Sequence, residues 1–474
     1  MAEIRPRIVG TEMEWAINER LVGGEDFAQP ERNLRAIVDV LPEGVRTTQI
    51  DASGMLSNGA RYYLDINSHA EYATAEDTSF IDTVANEIAG EKIVIGGLQR
   101  YFDNNEKLEE VTLNKRVIDT VGETWGYHIN LLADRRQIPR GSNSDLHLLG
   151  LHLATSLPIL GSGALVRTGW RNNEEMWRYS LGQKINGIHH DFSTGTINSN
   201  KSLVNQRDEA HTSMEEYRRI HLTSMDAHIS PWATWMALGS CSLILRAIEQ
   251  SRGRHFRMTD ATRDDPLLVL AKENSKDLTM KKVRAKIGGK TMHQFDIQRA
   301  LLEIVQDTEH TDEETEVLDE WQRAVTDLEQ DPKRLIGRSD TLTKYFLMTA
   351  HAEKHGEDPD DMAREFAYNF DLQYDELARL KRDRDSDHAY TLSIPGRLRQ
   401  TIFNSHHPSQ AIINERILSP PASTRASVRG KLIKTGTAQS ANWSGVLTQN
   451  GTKYHFDDPY NSSAPTSIES PYNS

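Results

Sequence analysis

Residues 59–76 read Gly-Ala-Arg-Tyr-Tyr-Leu-Asp-Ile-Asn-Ser-His-Ala-Glu-Tyr-Ala-Thr-Ala-Glu, and they concentrate the side chains best suited to chemistry. Read as a strand, Arg61, Tyr63 and Asp65 share one face, because side chains alternate with period two. Tyr62 and Leu64 point the other way, into apolar packing. A polar break at Asn67-Ser68-His69 leads to Glu71 and Ala73, with Glu76 beyond. A face carrying a cation, a phenol and a carboxylate does not bury dry; it has to meet water, a metal or a ligand. The chain opens on a second segment of this kind. Ile8-Val9-Gly10-Thr11-Glu12-Met13-Glu14-Trp15 is β-rich, with Glu12 and Glu14 on one face. Like charges so placed repel unless a cation lies between them. Alone, this would be an edge strand with two solvated glutamates. Two acidic strands near the N-terminus point instead to a magnesium site, since hard divalent cations take carboxylate oxygens and ATP phosphates together.

The elements that must position these residues follow from pattern. Residues 4–20 and 59–76 read as strands, joined by a polar segment with a helix at residues 30–41. Residues 79–100 form an amphipathic helix with Ile81, Val84, Ile88 and Ile93 on one side. Residues 111–132 read as a hairpin ending in Trp125-Gly126-Tyr127-His128-Ile129-Asn130-Leu131, where His128 and Asn130 share a face. Apolar helices are expected at 145–160 and 226–250. Residues 312–330 carry Val317, Leu318, Trp321, Val325 and Leu328 on a core-facing stripe. The segment 376–390, dense in Arg, Lys and Asp, reads as a solvated turn or helix end. Pro395 and the polar run near 401–409 mark a boundary, giving a large unit over 1–400 and a small one over 401–460. A Ser-, Pro- and Asn-rich tail over 461–474 is expected to be disordered.

Bulk properties narrow the function. The chain has 474 residues, with 55 Lys+Arg against 69 Asp+Glu, a balance that argues against general nucleic-acid binding. The single cysteine, Cys241, excludes a disulfide framework and a cysteine-ligated zinc site. No apolar run is long enough to span a bilayer and no secretory segment opens the chain, so a cytoplasmic globular protein without a membrane partner is expected.

A set of motifs in order carries a resemblance. Gly10-Thr11-Glu12-Met13-Glu14 is followed by Asn58-Gly59-Ala60-Arg61 through Glu76, then Gly126-Tyr127-His128-Ile129-Asn130. Asn205-Gln206-Arg207-Asp208-Glu209-Ala210-His211, Glu216-Tyr217-Arg218-Arg219-Ile220-His221 and Asp296-Ile297-Gln298-Arg299 continue the series. Pro420-Pro421-Ala422-Ser423-Thr424-Arg425, Trp443 and Asp458-Pro459-Tyr460 close it. Together they resemble the family of Pup ligases and depupylases over nearly the whole chain. The resemblance implies an α+β fold of the glutamine-synthetase-like carboxylate-amine ligase type: a curved antiparallel sheet cradling ATP, packed by helices, with a small C-terminal domain. It implies ATP and Mg2+ as cofactors, a Pup-like protein modifier as one partner and lysine-bearing proteins as the other. In such ligases ATP phosphorylates the side-chain carboxylate of the modifier's C-terminal glutamate. A substrate lysine then attacks the acyl phosphate to give an isopeptide bond.

Carried over by position, the resemblance implies that Glu12, Tyr63 and Glu71 are magnesium ligands, with His128 and Glu14 as further members of the metal shell. Arg61 and Thr74 would contact ATP, Trp443 would pack against it, Arg207 would join the phosphate shell, and Asp65 would be the catalytic base. Taken singly, His128 reads as a core histidine, Arg207 as a surface partner of Asp208 or Glu209, and Tyr63 as a packed aromatic. The ordered set is what lifts them above those readings.

The alternative activities are a depupylase or deamidase, a small-molecule carboxylate-amine ligase, and a non-catalytic binding protein. Only about forty residues separate Trp15 from Asn58, which is the ligase-like spacing. The opening Gly10-Thr11-Glu12 is closer to that of the depupylases. The chain also departs from both: Ala70 and Ala210 stand where prolines are expected, Gln206 replaces a threonine, Leu131 an aromatic, and 170–203 is reworked. These changes bear on the modifier rather than on the nucleotide.

Overall fold

The computed structural model describes residues 4–468 apart from 24–46, 48–52, 66–68, 120–121, 140–144, 172–173, 196–200, 207–210, 213–214, 255, 260–263, 357–363, 383–388, 392–393, 404 and 464–465. Its elements include β1 (Val9–Leu21), β2 (Ser53–Met55), β3 (Arg61–Leu64), β4 (Ala70–Ala73), α1 (Phe80–Asp103), β5 (Leu108–Asn114) and β6 (Tyr127–Asp134). Further along come β7 (Tyr217–Leu222), α2 (Pro231–Glu249), α3 (Asp312–Gln330), β8 (Glu376–Lys381) and α4 (Ala426–Lys434).

β1 is the strand on which the sheet is hung. Its first half pairs with β6 on one side and β4 on the other, and its second half pairs with β5, all antiparallel. β4 in turn pairs with β3, and β3 with β2. Period-two alternation then sorts the side chains. Met13, Tyr72 and Tyr62 stand opposite one another across three strands and are all buried on the helix-covered face. Burying a side chain the size of Met13 stabilises the fold by about 1.5–3 kcal/mol.

α1 covers that face. It starts at Ser79, whose hydroxyl accepts the Asp82 amide, and Gly90 lets the Tyr72 ring lie directly on its backbone. A Cβ at Gly90 would come within 2.4 Å of that ring. Asn86 and Asn58 satisfy the Tyr72 hydroxyl at 3.1 and 3.0 Å. α2 is capped by Ser230 with Pro231 in its first turn, and α3 by a Thr311/Glu314 capping box. Val317 packs into the space left by Gly239, as the apolar stripe of 312–330 anticipates. No described helix is long and apolar enough to cross a membrane.

Three expectations are corrected, and one falls outside the described residues. The 111–132 segment is not a hairpin, because β1 pairs with both β5 and β6. Part of 376–390 is a strand rather than a turn: β8 pairs with β5 and buries Leu377, Ala378 and Leu380, its charges lying on the other face. Within 461–474, Thr466–Ile468 adds a strand to Lys453–His455. The helix expected at 30–41 lies outside the described residues.

A half-buried carboxylate of the main sheet anchors two arginines of the C-terminal segment. Glu76 accepts from Arg425 Nε at 2.8 Å and from Arg429 at 2.5 and 3.0 Å. Arg429 also donates to the Gly59 carbonyl at 2.9 Å, where Gly59 takes a left-handed turn, φ 84°, against Pro420 and Ala426. Burial alone would raise the Glu76 carboxyl, but the Arg429 and Arg425 charges bring it down to about 2. That folded value lies below the ordinary 4.5, so docking is fully supported above pH 4.5 and lost as pH falls toward 2. Glu76→Gln strands two buried guanidinium groups, and breaking a buried pair this way costs about 3–5 kcal/mol. A lowered melting midpoint at pH 7, converging with wild type near pH 2–3, is expected in a pH series of thermal melts. An unchanged midpoint at pH 7 would remove the clamp from the stability of the fold.

Candidate active site

The face of the sheet opposite α1 carries the polar residues in two rows set by register. Arg61, Ala73, Glu12 and His128 stand opposite one another from β3 through β4 and β1 to β6. One period along, Tyr63, Glu71 and Glu14 form the second row. β7 adds Arg219 and His221, which face Leu132 and Asn130. Gly126 is required here, since a Cβ on it would meet Glu14 Oε1 at 2.3 Å.

Each carboxylate meets a different fate. Glu12 lies 3.1 Å from His128 Nδ1 and 3.4 Å from both Arg219 and His221 Nε2. Burial would raise it, but the contacts with His128 and His221 and the Arg219 charge hold it well below the usual carboxylate range. Burial also works against ionised Glu14, and His69, 3.0 Å away, with the Lys184 charge brings it back below its ordinary value. Glu71 has only the Tyr63 hydrogen bond to favour its charge, and that is not enough. Burial, then the charges of Glu12 and Glu14, push it well above its ordinary value, and burial with Glu71 does the same to the Tyr63 phenol. Burial and Arg219 pull His221 down to about 3, so it is neutral. His128 Nε2 is buried without a hydrogen-bond partner, an orphaned donor atom beside Glu12.

Two ligand groupings result. Atoms of Glu12, His128 and His221 lie within 4.8 Å of one another, as do atoms of Glu14, Asp65 and His69. Carboxylate oxygens in this number fit a hard divalent cation, while the unpaired imidazole nitrogen beside them is a donor suited to softer ions. Beside Glu12 opens a cavity of about 630 Å³ including its mouth, lined by Gly10, Thr11, Thr74, Arg219, Arg425 and Trp443 among others. Thr11 and Thr74 fasten its floor, each amide bonded to the other residue at 2.9–3.0 Å. Arg429 holds Trp443 by its carbonyl at 3.0 Å and lies over its ring.

The profile of the family described as Pup-ligase protein matches residues 7–447. The chain belongs to that family. A Pup--protein ligase from Acidimicrobium ferrooxidans is 27% identical over 445 residues, covering 92% of this chain and 90% of that protein. The crystal structure of the complex between Pup and its ligase PafA superposes with a TM-score of 0.78 at 22% identity, covering 97% of this chain and 90% of that one. The structure of the Pup ligase PafA in complex with ADP gives 0.73 at 21% identity, covering 94% and 95%. The fold is therefore the mixed α/β, glutamine-synthetase-like carboxylate-amine ligase fold of the Pup ligases.

In this Pup-ligase family member, Glu12, Glu14, Tyr63, Glu71 and His128 come together on one face, with Thr74 and Trp443 at the adjoining cavity. Asp65 sits at the end of β3, one oxygen held by the His69 amide at 2.8 Å. Arg61 shares the Glu12 row but bonds Ser53 at 2.9 Å and lies over the Tyr63 ring. Arg207 lies outside the described residues. Sequence reasoning gave no role to His69, Arg219 and His221. The signal was present in Arg219 and His221, which are spaced by two like Glu12 and Glu14, but their meeting with Glu12 depends on β7 lying beside β6.

The raised value of Glu71 has a consequence of definite sign. Ionising it costs more in the folded chain than in the unfolded one, so folding is penalised once pH rises past the ordinary 4.5. Glu71→Gln is therefore expected to melt at or a few degrees above wild type at pH 8 without divalent cations, and to lose most of the cation-induced rise. Destabilisation in the metal-free protein would contradict this electrostatic account.

Proposed function

We propose that this chain is an ATP-dependent ligase that joins the C-terminal glutamate of a Pup-like modifier, through its side-chain carboxylate, to a lysine of a protein substrate. The observation that carries the reading is the acidic double row, Glu12, Glu14 and Glu71, opening onto the cavity that Thr74 and Trp443 line. Such an arrangement suits a nucleotide whose phosphates enter beside the carboxylates. The ADP complex of the solved Pup ligase supports a nucleotide in the same fold, and its Pup complex supports a modifier of that class.

The chain's residues divide the work. Thr74, Arg61 and Trp443 hold the nucleotide, so that its terminal phosphate meets the glutamate carboxylate; Arg207, outside the described residues, is the further phosphate contact that the family resemblance implies. Glu12, Tyr63 and Glu71, with Glu14 and His128, would hold Mg2+, which when bound would supply positive charge to the phosphate oxygens. The substrate carboxylate oxygen bonds the terminal phosphorus and ADP leaves, giving an acyl phosphate. The lysine nitrogen then bonds the acyl carbon and phosphate leaves. A lysine amine is mostly protonated at neutral pH, so a base must take its proton as it attacks. Asp65 fills that role, its carboxylate oriented by the His69 amide.

The ligase direction is preferred over depupylation because the interval from Trp15 to Asn58 is short. The depupylase-like opening Gly10-Thr11-Glu12 keeps the reverse reaction as the second reading. One assay separates them: incubation with ATP, Mg2+ and a Pup-like protein ending in glutamate, followed by mass spectrometry of lysine-bearing proteins. An ATP-dependent isopeptide adduct supports the ligase. Release of a preformed tag, or conversion of a terminal glutamine to glutamate without net conjugation, supports the second reading.

Asp65→Asn is expected to lower the conjugation rate by about 10²–10⁴-fold while leaving nucleotide affinity within about twofold. Conjugation by the variant at near wild-type rate would remove Asp65 from the base position.

A further inference from the structure

Two ammonium groups at the Glu14 end of the site are not used in the chemistry above. Lys184 is buried, and its Nζ donates to the Trp125 carbonyl. Lys201 Nζ donates to the carbonyl and hydroxyl of Thr124, at 2.8 and 2.9 Å. Both therefore converge on adjacent residues of the turn entering β6. That turn is tied to the acidic row, since the Glu14 amide donates to the Gly126 carbonyl at 2.9 Å.

The position of Lys184 is built. The Asp226 carboxylate accepts the amides of Ser162, Gln183 and Lys184 at 2.7–2.8 Å, fixing the short turn Lys184–Gly187. Gly187 packs against Thr124, where a Cβ would come within 2.7 Å. Among the described residues no carboxylate lies within the 4.0 Å of an ion pair with either lysine. Burial pulls the Lys184 ammonium down to about 8, and the charges of Glu14, Asp226 and Glu71 do not restore it. An ammonium held dry on a backbone carbonyl, with no carboxylate in contact, is costly unless a bound anion completes it.

We propose that Lys184 and Lys201 form the seat for the α-carboxylate of a chain-terminal glutamate, an inference that rests on the ligase reading above. A terminal glutamate carries two carboxylates. The side-chain one must reach the nucleotide beside Glu12, so the α one needs positive charge elsewhere. Glu14 is one strand period beyond Glu12, about 6.6–6.8 Å along β1. Neither lysine lines the cavity of Gly10, Thr74 and Trp443, and both bond the turn whose Gly126 carbonyl holds the Glu14 amide. An internal glutamate has no α-carboxylate, so this pair selects for the chain end.

The test compares two synthetic peptides ending in glutamate, one a free acid and one a C-terminal amide, binding to the full chain with ADP and Mg2+. Wild type is expected to bind the acid about tenfold or more tightly than the amide, a range typical of a charged hydrogen bond. Lys184→Met should bind both at the amide's level, Lys184→Arg should restore the preference, and Lys201→Met should reduce it. Thermal melts of each variant check folding, and Lys201, half-buried, supplies the variant least dependent on packing. Retained preference in both methionine variants overturns the seat. Equal binding of acid and amide by a wild type that still conjugates the acid also overturns it, with the ligase reading intact. A wild type that binds neither peptide overturns the ligase reading and the seat with it.

Discussion

Three carboxylates on one sheet face, buried Glu14 and Glu71 and half-buried Glu12, repel one another, and the site is arranged around that repulsion. Two unit charges about 4 Å apart repel by about 4 kcal/mol at an effective dielectric of about 20. β1 cannot escape the problem by slipping register, since a shift of one residue would turn Met13 and Trp15 out of the core. The repulsion is met locally. His128, His221 and Arg219 gather on Glu12, and His69 and Lys184 favour the charge on Glu14. Among the described residues Glu71 has no cation in contact with it, and burial with the charges of Glu12 and Glu14 pushes its carboxyl well above the ordinary value instead.

Glu76, five residues beyond Glu71, shows what the same side chain does when it is answered. With Arg425 and Arg429 bonded to it, it stays ionised far into the acid range. Its task is placement: the two arginines that it anchors also carry the carbonyls of Phe456, His211 and Trp443. The indole at the cavity mouth is therefore set by a charge pair on the main sheet, and the wall that the C-terminal segment contributes depends on Glu76.

Much of this was legible from period alone. Glu12 with Glu14, and Arg61 with Tyr63, could be put on single faces because alternation is a local property of a strand. Which strands lie beside which is not local. Placing β5 and β6 in a hairpin failed because β1, a hundred residues earlier, pairs with both. β8 was hidden for another reason. Its Arg and Lys residues dominate the composition, while the alternate Leu and Ala that bury against the core are few. His221 and Arg219 needed both facts at once, their own period and the neighbour β6, and only the second was missing.

The charge balance explains why the unanswered groups stay apart. A lysine placed to pair with Glu71 would relieve the repulsion permanently, and the face would then be neutral and closed to a divalent cation. Lys184 is close enough for its field to favour ionised Glu14 and Glu71, yet its hydrogen bond goes to a backbone carbonyl. Asp226 keeps it there by fixing the backbone at its base. The sheet face thus keeps a cluster of carboxylates at its centre and, at its end, an ammonium bonded to a backbone carbonyl. A cation at the first and an anion at the second would offset both, so the polarity that costs stability is also what would orient a charged substrate.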